Sequence, residues 1–253
     1  MVERVVAIAR WTAVEMLRER ILYVVLLFAA VLVASSSVLT TLAPGAQKKI
    51  VIDFGLAAID MLAILVILLN GSSLVRREMD GRSLDVLLTK PTTRLEYLFG
   101  KWLGLVSTLM ILTLVMTAIL AISVEAAGFG WQARYLGAIA GTCFELIVIA
   151  SVAVLFSTFT SPTLASLFTL ALFVAGHLSD SMLELVAAAG GNPLLERLSF
   201  AVPSLGLFNL RGEVVHGIGA SPQRLVVAAA YALIYSITAL YVAALVFRRR
   251  DLR

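Results

Sequence analysis

Charged residues are scarce in this chain of 253 residues. Only 14% of the residues are Asp, Glu, Lys or Arg, whereas 60% are hydrophobic and the mean hydropathy is +0.99. This balance excludes an ordinary soluble globular domain and predicts an integral membrane protein. The formal net charge of +4 comes from basic residues beside apolar runs, which favours contact with anionic lipid over nucleic acid.

Cysteine and histidine are also rare. The single cysteine, Cys143, excludes an internal disulfide, a CxxC redox pair and a thiolate metal cluster within one chain. The two histidines, His177 and His216, lie in no HExxH or comparable motif. An intramembrane enzyme is therefore the weakest of the function classes that the sequence leaves open.

Long apolar runs make up most of the chain, which we predict to be a single all-α membrane domain over residues 1–253. A helix needs about 20 residues to cross a hydrocarbon core of about 30 Å. Six runs have that order of length. They cover residues 21–42, 54–75, 98–123, 135–158, 163–187 and 225–247.

The segments outside these runs have their own patterns. Residues 1–20 carry an apolar stripe opposite charged residues, which predicts an amphipathic helix lying along the membrane interface. Residues 188–224 contain Pro193, Pro203 and a moderately apolar stretch, so we expect an outer re-entrant segment of short helices on the membrane surface. Ser161-Pro162 and Ser221-Pro222 each mark a helix start.

The distribution of Lys and Arg predicts the orientation. Fourteen of these residues lie in the N-terminus, residues 76–101, the 159–162 turn and the C-terminus, against six in the segments on the other side. The positive-inside rule places both termini and residues 76–101 in the cytoplasm.

A polar island at residues 76–104 interrupts the apolar sequence. Leu84, Leu87 and Leu88 share one face of a short amphipathic helix that Pro91 ends. The T-x-x-E pattern of Thr93 and Glu96 then starts the next helix. A helix of about two turns is not stable alone in water, so its leucine face needs a membrane surface or a groove on another protein.

The island resembles the cytoplasmic loop between the second and third spans of type-two ATP-binding-cassette (ABC) exporter permeases. The pattern is E-x-x-G followed by LL-x-x-P-x-x-R-x-x-Y-x-x-G-K, and the six-span layout is similar to that family as well. The branch associated with maturation of copper enzymes such as nitrous oxide reductase is the most similar in layout. The matching residues are Glu78, Gly81, Leu87, Leu88, Pro91, Arg94, Tyr97, Gly100 and Lys101.

In that family, the loop carries a coupling helix that binds a groove of a separate ATPase subunit. The resemblance implies this role for residues 76–97, and in particular for Glu78, Gly81, Leu84, Leu87, Leu88, Pro91 and Arg94. It also implies a homodimer in the inner membrane, with ATP and Mg²⁺ bound by the partner ATPase. The residues agree that this chain is not an ATPase, since its one Gly-Lys pair has Leu95 and Trp102 where a Walker A motif needs Gly and Ser or Thr.

Five ionisable residues inside the apolar spans are candidates for a polar translocation path, because each costs a few kcal/mol at the bilayer centre. His177, Asp180 and Glu184 form one helical stripe, which we expect to face water or the overlying loop and not to hold a metal. For Glu145 we favour an interhelical hydrogen bond. Asp60 needs no partner for insertion, because the apolar residues around it offset its cost.

Two further points stay open. A secondary transporter is the main alternative to a permease, although we find no internal repeat that would support one. The GxxxG pairs Gly100/Gly104 and Gly137/Gly141 permit close helix packing, and a dimer interface is one use for them.

Overall fold

A computed structural model describes residues 2–19, 23–32, 47–71, 74, 94–188 and 202–249. These residues form an all-α membrane fold, as the composition predicts, with no β-strand among them. The helices, numbered in chain order, are α1 (Val2–Glu19), α2 (Tyr23–Leu32), α3 (Gln47–Asn70), α4 (Arg94–Ala126), α5 (Tyr135–Ser157), α6 (Pro162–Ala188), α7 (Arg211–Val215) and α8 (Pro222–Arg249).

Five of these helices are long and apolar enough to cross a membrane, namely α3, α4, α5, α6 and α8. They correspond to the second to sixth predicted runs. Of the first predicted run, residues 21–42, the structure describes residues 23–32, which form the apolar helix α2.

The helix starts follow local sequence signals. Helices α6 and α8 begin at Pro162 and Pro222, as predicted, because proline is suited to the first turn of a helix. Helix α3 begins at Gln47, seven residues before the predicted run at 54. That boundary was wrong because the polar residues Gln47, Lys48 and Lys49 continue the helix beyond its apolar part.

Helix α5 lies at the centre of the bundle and packs against α3, α4, α6 and α8. More than half of its residues are buried, including the polar Glu145 and Ser151. Hydrogen bonds from side chains to backbone also join neighbouring helices. Ser166 Oγ of α6 donates to Leu68 O of α3 at 2.8 Å, and Ser236 Oγ of α8 donates to Ile147 O of α5 at 3.3 Å.

Helix α1 packs along the start of α4 in what we call the α1–α4 seam. A Cβ atom on Gly100 would lie 2.9 Å from Ile8 Cβ, and one on Gly104 would lie 2.8 Å from Ala9 O. The first GxxxG pair therefore serves a contact within the chain. In the predicted apolar stripe of α1, Val5, Ala9, Ala13 and Met16 are buried against the chain, whereas Val6 is 51% exposed. Its position along the membrane interface stays a prediction.

Residues 202–215 form a second tight contact, on α5 and α6. A 3-10 helix (Leu205–Phe208) leads into α7, and a Cβ atom on Gly141 would lie 2.3 Å from Phe208 O. Gly176 accommodates Pro203 O in the same way, at 2.8 Å. The short helices agree with the predicted re-entrant segment, and glycine lets the segment pack closely on α5 and α6, where Leu205, Phe208, Leu210 and Val214 are buried.

Candidate functional site

Three ionisable side chains from three different helices meet inside the bundle. Asp60 comes from the middle of α3, Glu145 from the middle of α5 and His177 from α6. One carboxylate oxygen of each acid and one ring nitrogen of the histidine all lie within 4.8 Å of one another. We call these three residues the acid–histidine cluster.

The His177 ring is held in a defined orientation. Its Nδ1 lies 3.3 Å from Phe173 O, one turn earlier in α6, and its ring lies 4.6 Å from the Phe173 ring, centroid to centroid. A hydrogen bond from Nδ1–H to that carbonyl leaves the lone pair on Nε2. Nε2 in turn lies 3.5 Å from Oε1 of Glu145.

Glu145 is almost completely enclosed, since only 3% of its side chain is exposed. No described residue donates a hydrogen bond to its Oε1, and the same holds for Oδ1 of Asp60. The interhelical hydrogen bond that we favoured for Glu145 is thus not made at this oxygen, which has a histidine nitrogen at ion-pair distance instead. An unsatisfied buried carboxylate oxygen is costly, so its retention points to a functional role.

The cluster opens onto a cavity of about 280 Å³ between α3, α5, α6 and the inserted segment 202–215. Seven of its thirteen lining residues are apolar and six are polar, and ligand sites commonly combine an apolar wall with converging polar groups. The polar lining residues are Asp60, Thr142, Glu145, His177, Asn209 and Arg211.

Arg211 carries a positive charge at this cavity and is itself paired. Its Nε lies 2.9 Å from Oδ1 of Asp53, and both side chains are partly exposed. A second ion pair, between Arg224 and Glu213, holds α7 to the start of α8. The inserted segment is therefore tied by charge to α3 and to α8.

Only His177 of the predicted stripe on α6 has a described side chain. It was expected to face water or the overlying loop, and it lines the cavity beside Asn209 and Arg211 of the segment that follows α6, with 28% of its side chain exposed. Its proximity to Glu145 and Asp60 was not predicted, because the sequence pattern considered α6 alone. Asp180 and Glu184 lie in α6 with side chains outside the described part.

Most of the predicted coupling residues also lie outside the described residues. Glu78, Gly81, Leu84, Leu87, Leu88 and Pro91 belong to this group, and Arg94 is described only as the first residue of α4. Their role in coupling stays a prediction.

Four polar residues were not predicted from the sequence: Thr142, Asn209 and Arg211, which line the cavity, and Asp53, which pairs with Arg211. Asp53 and Arg211 were assigned to segments outside the spans. Both segments were predicted on the same side of the membrane, and their opposite charges were the available signal. Charge alone does not show which acid pairs with which base.

A model of the ABC-2 family of transporter proteins matches residues 17–252. The chain belongs to this family. A search of curated proteins finds no match to this ABC-2 chain. The match covers nearly the whole sequence, so the family resemblance seen in the island is confirmed, while assignment to the copper-enzyme branch stays a prediction.

Family membership sets the broad function. This ABC-2 chain is a multi-pass membrane subunit of an ABC transporter, and its partners are an ABC ATPase subunit and the bilayer. As a transport subunit, it is not itself an enzyme.

Proposed function

We propose that this chain is the permease subunit of an ATP-driven exporter, in which it forms a homodimer with two ATPase subunits. The ATPases bind ATP and Mg²⁺, and the chain itself carries no cofactor for that step. Both termini and the polar island lie on the cytoplasmic side of the inner membrane. Support comes from the family match, the E-x-x-G and LL-x-x-P pattern of the island, and the excess of Lys and Arg on that side.

The observation that carries the coupling proposal is the path of α4. This helix runs for 33 residues from Arg94 to Ala126, so its first four residues belong to the predicted coupling region 76–97. At 1.5 Å per residue it is about 50 Å long, so it passes from the island through the whole bundle.

Both ends of α4 are tightly packed. Near its start, Gly100 and Gly104 contact the backbone of α1. Near its far end, Leu120 fills the space beside Gly55 of α3, where an added Cβ would lie 2.4 Å from Leu120 Cδ1. Since close-packed interiors transmit displacement instead of absorbing it, a push on the island moves α3.

Helix α3 carries Asp60 little more than one turn beyond Gly55, and it carries Asp53 beside Arg211. Closure of the ATPase dimer would therefore shift one acid of the acid–histidine cluster relative to Glu145 of α5 and His177 of α6. In this mechanism, the cavity changes its access as ATP is bound and released.

The test is to purify the chain with its ATPase partner and to compare Leu87→Glu with the wild type. We expect the complex to form and nucleotide-dependent transport or ATPase stimulation to be lost, because a charge on the leucine face does not fit an apolar groove. Ile218→Glu is the matched control, since Ile218 is 63% exposed in the segment before α8. Full coupling in Leu87→Glu would overturn the assignment of the island.

The buried acid–histidine cluster also fits the alternative function of a secondary transporter, because intramembrane acids and histidines carry protons or ions in such proteins. The two functions differ in their energy source. If purified chain in vesicles transports without any ATPase and responds to an ion gradient, the permease proposal fails and the alternative stands.

A further inference from the structure

We propose that Asp60, Glu145 and His177 bind a divalent first-row transition-metal ion, such as Zn²⁺, inside the bundle. The site goes beyond the proposed coupling function and does not depend on it. The proposal replaces our expectation from the sequence that the chain holds no metal, which treated His177 as part of a stripe on one helix.

The donor set fits such an ion. One imidazole nitrogen and two carboxylate oxygens are ligands for Zn²⁺ and neighbouring metals, whereas Mg²⁺ and Ca²⁺ prefer oxygen alone. Around a tetrahedral ion with bonds of about 2.1 Å, neighbouring ligand atoms lie about 3.4 Å apart. Oε1 of Glu145 and Nε2 of His177 are already 3.5 Å apart.

The third ligand needs only a small movement. All three ligand atoms lie within 4.8 Å of one another. A movement of the Asp60 oxygen by up to about 1.4 Å would bring it to the separation of about 3.4 Å expected between ligands of a tetrahedral ion. No helix has to move for the site to form.

An independent observation points to a missing ligand. Oε1 of Glu145 is buried and receives no hydrogen bond from any described residue, although its side chain is 97% enclosed. Oδ1 of Asp60 is also buried and receives no hydrogen bond from any described residue. A cation between these two oxygens would satisfy both and would also remove the repulsion between two carboxylates in a medium of low dielectric constant.

The charges around the cavity leave room for a divalent ion. Asp53, Asp60 and Glu145 are three carboxylates, and Arg211 is the one guanidinium among the residues that line or close the cavity. Asp53 already pairs with Arg211 at 2.9 Å. Bound as carboxylates, Asp60 and Glu145 would together balance the two charges of a divalent cation.

The histidine is arranged as a metal ligand. In metal sites, the ring nitrogen that does not bind the ion usually donates to a carbonyl or carboxylate, which fixes the tautomer. Nδ1 of His177 lies 3.3 Å from Phe173 O, so Nε2 presents its lone pair to the two acids.

The site has three protein ligands and faces the cavity of about 280 Å³. Structural zinc sites are closed by four protein ligands, whereas sites with three keep a position for water or an exchanging group. We therefore assign an ion that enters and leaves through the cavity, and not a permanent structural metal.

Binding is tested on the purified chain in detergent, with an affinity tag that contains no histidine. After treatment with chelator, the protein is dialysed against Zn²⁺ and the bound metal is measured by elemental analysis. We expect one Zn²⁺ per chain, and an affinity at least about tenfold weaker in Glu145→Gln and in His177→Gln. Mg²⁺ in large excess is expected not to displace the zinc.

Two controls match these variants. His216→Gln removes the other histidine, whose Nδ1 also contacts the carbonyl four residues earlier, at 2.8 Å from Gly212 O. Glu15→Gln removes an exposed carboxylate of α1. Both are expected to bind zinc as the wild type does. Equal loss in a control and in a site variant would overturn the assignment of the site.

X-ray absorption of the zinc-loaded wild type tests the proposal without any variant. We expect a first shell of nitrogen and oxygen that includes one imidazole. A sulfur ligand would point to Cys143 and overturn the proposal, and so would the absence of stoichiometric zinc. Because this measurement needs no ATPase, its failure would leave the coupling proposal intact, and failed coupling would leave the metal site intact.

Discussion

The α1–α4 seam and the acid–histidine cluster are both buried, but the seam consists of closely packed helix backbones and the cluster of ionisable side chains around a cavity. In the seam, Gly100 and Gly104 bring helix backbones together, and the one buried cation, Lys101, lies over aromatic rings. In the cluster, three ionisable groups from three helices surround a cavity, and two of their oxygens receive no hydrogen bond from the described residues.

From this contrast we infer that the seam serves stability and the cluster serves function. The seam is closely packed, so it contributes rigidity at the end of α4 that follows the island. The buried carboxylates of the cluster lower the stability of the fold. Proteins keep such destabilising groups where a ligand or a reaction requires them. Gly104→Leu in the seam and Glu145→Gln in the cluster are expected to change stability in opposite directions.

The largest effect is expected from Gly104→Leu in the seam. A Cβ atom there would already lie 2.7 Å from Thr12 Cβ and 2.8 Å from Ala9 O, so a leucine must push α1 away. We expect a loss of about 3 kcal/mol in unfolding free energy, measured by denaturant titration in detergent micelles. Gly212→Ala in α7 is the control, because no atom lies within 4 Å of the added Cβ. A stable Gly104→Leu would contradict the close packing of the seam.

A smaller loss is expected from Gly141→Ala at the wall of the cavity. The added Cβ would lie 2.3 Å from Phe208 O, and a backbone atom cannot rotate away as a side chain can. We expect a loss of about 2 kcal/mol and displacement of the segment that carries Asn209 and Arg211. Faster reaction of a cysteine placed at Asn209 would report the displacement, and an unchanged rate would argue against this packing.

Glu145→Gln is expected to change stability in the other direction. The substitution removes an ionisable group from a buried site while it keeps the shape of the side chain, so the metal-free protein should gain about 1 kcal/mol. Transport by the complex should be lost in the same variant. A destabilised Glu145→Gln would mean that the carboxylate is already well satisfied, and the cluster would then resemble the seam.

The smallest effect concerns Lys101, which is 2% exposed. Its Nζ lies 5.0 Å from the ring centroid of Trp11 and 5.9 Å from that of Tyr97. A double-mutant cycle with Lys101→Met and Trp11→Leu should give a coupling energy of about 0.5 kcal/mol. A coupling energy near zero would show that the ring and the cation do not interact across the seam.

The sequence predicted the helices well because their signals are local. Apolar length identified five of the spans, and the Ser-Pro pairs gave the starts of α6 and α8. The start of α3 was missed, since Lys48 and Lys49 can lie in a loop or extend a helix into water. Local patterns do not decide between those two outcomes.

The site was predicted only in part. The sequence identified Asp60, Glu145 and His177 as ionisable residues in apolar spans, but not as neighbours. Their meeting depends on how α3, α5 and α6 pack, which no single helix encodes. The role of Gly141 and Gly176 in admitting the segment 202–215 was invisible for the same reason.

The central claim is that α4 transmits the effect of nucleotide binding by the ATPase from the island to the cavity at Asp60. It is tested most directly in the complex with the ATPase, using a Cys143→Ser chain with one cysteine at Asn209, which lines the cavity. The rate of labelling by a membrane-impermeant thiol reagent is measured with and without a non-hydrolysable ATP analogue. We predict that the rate changes by about tenfold and that Leu87→Glu abolishes the change. Equal rates in both nucleotide states, in a complex that hydrolyses ATP, would contradict the account.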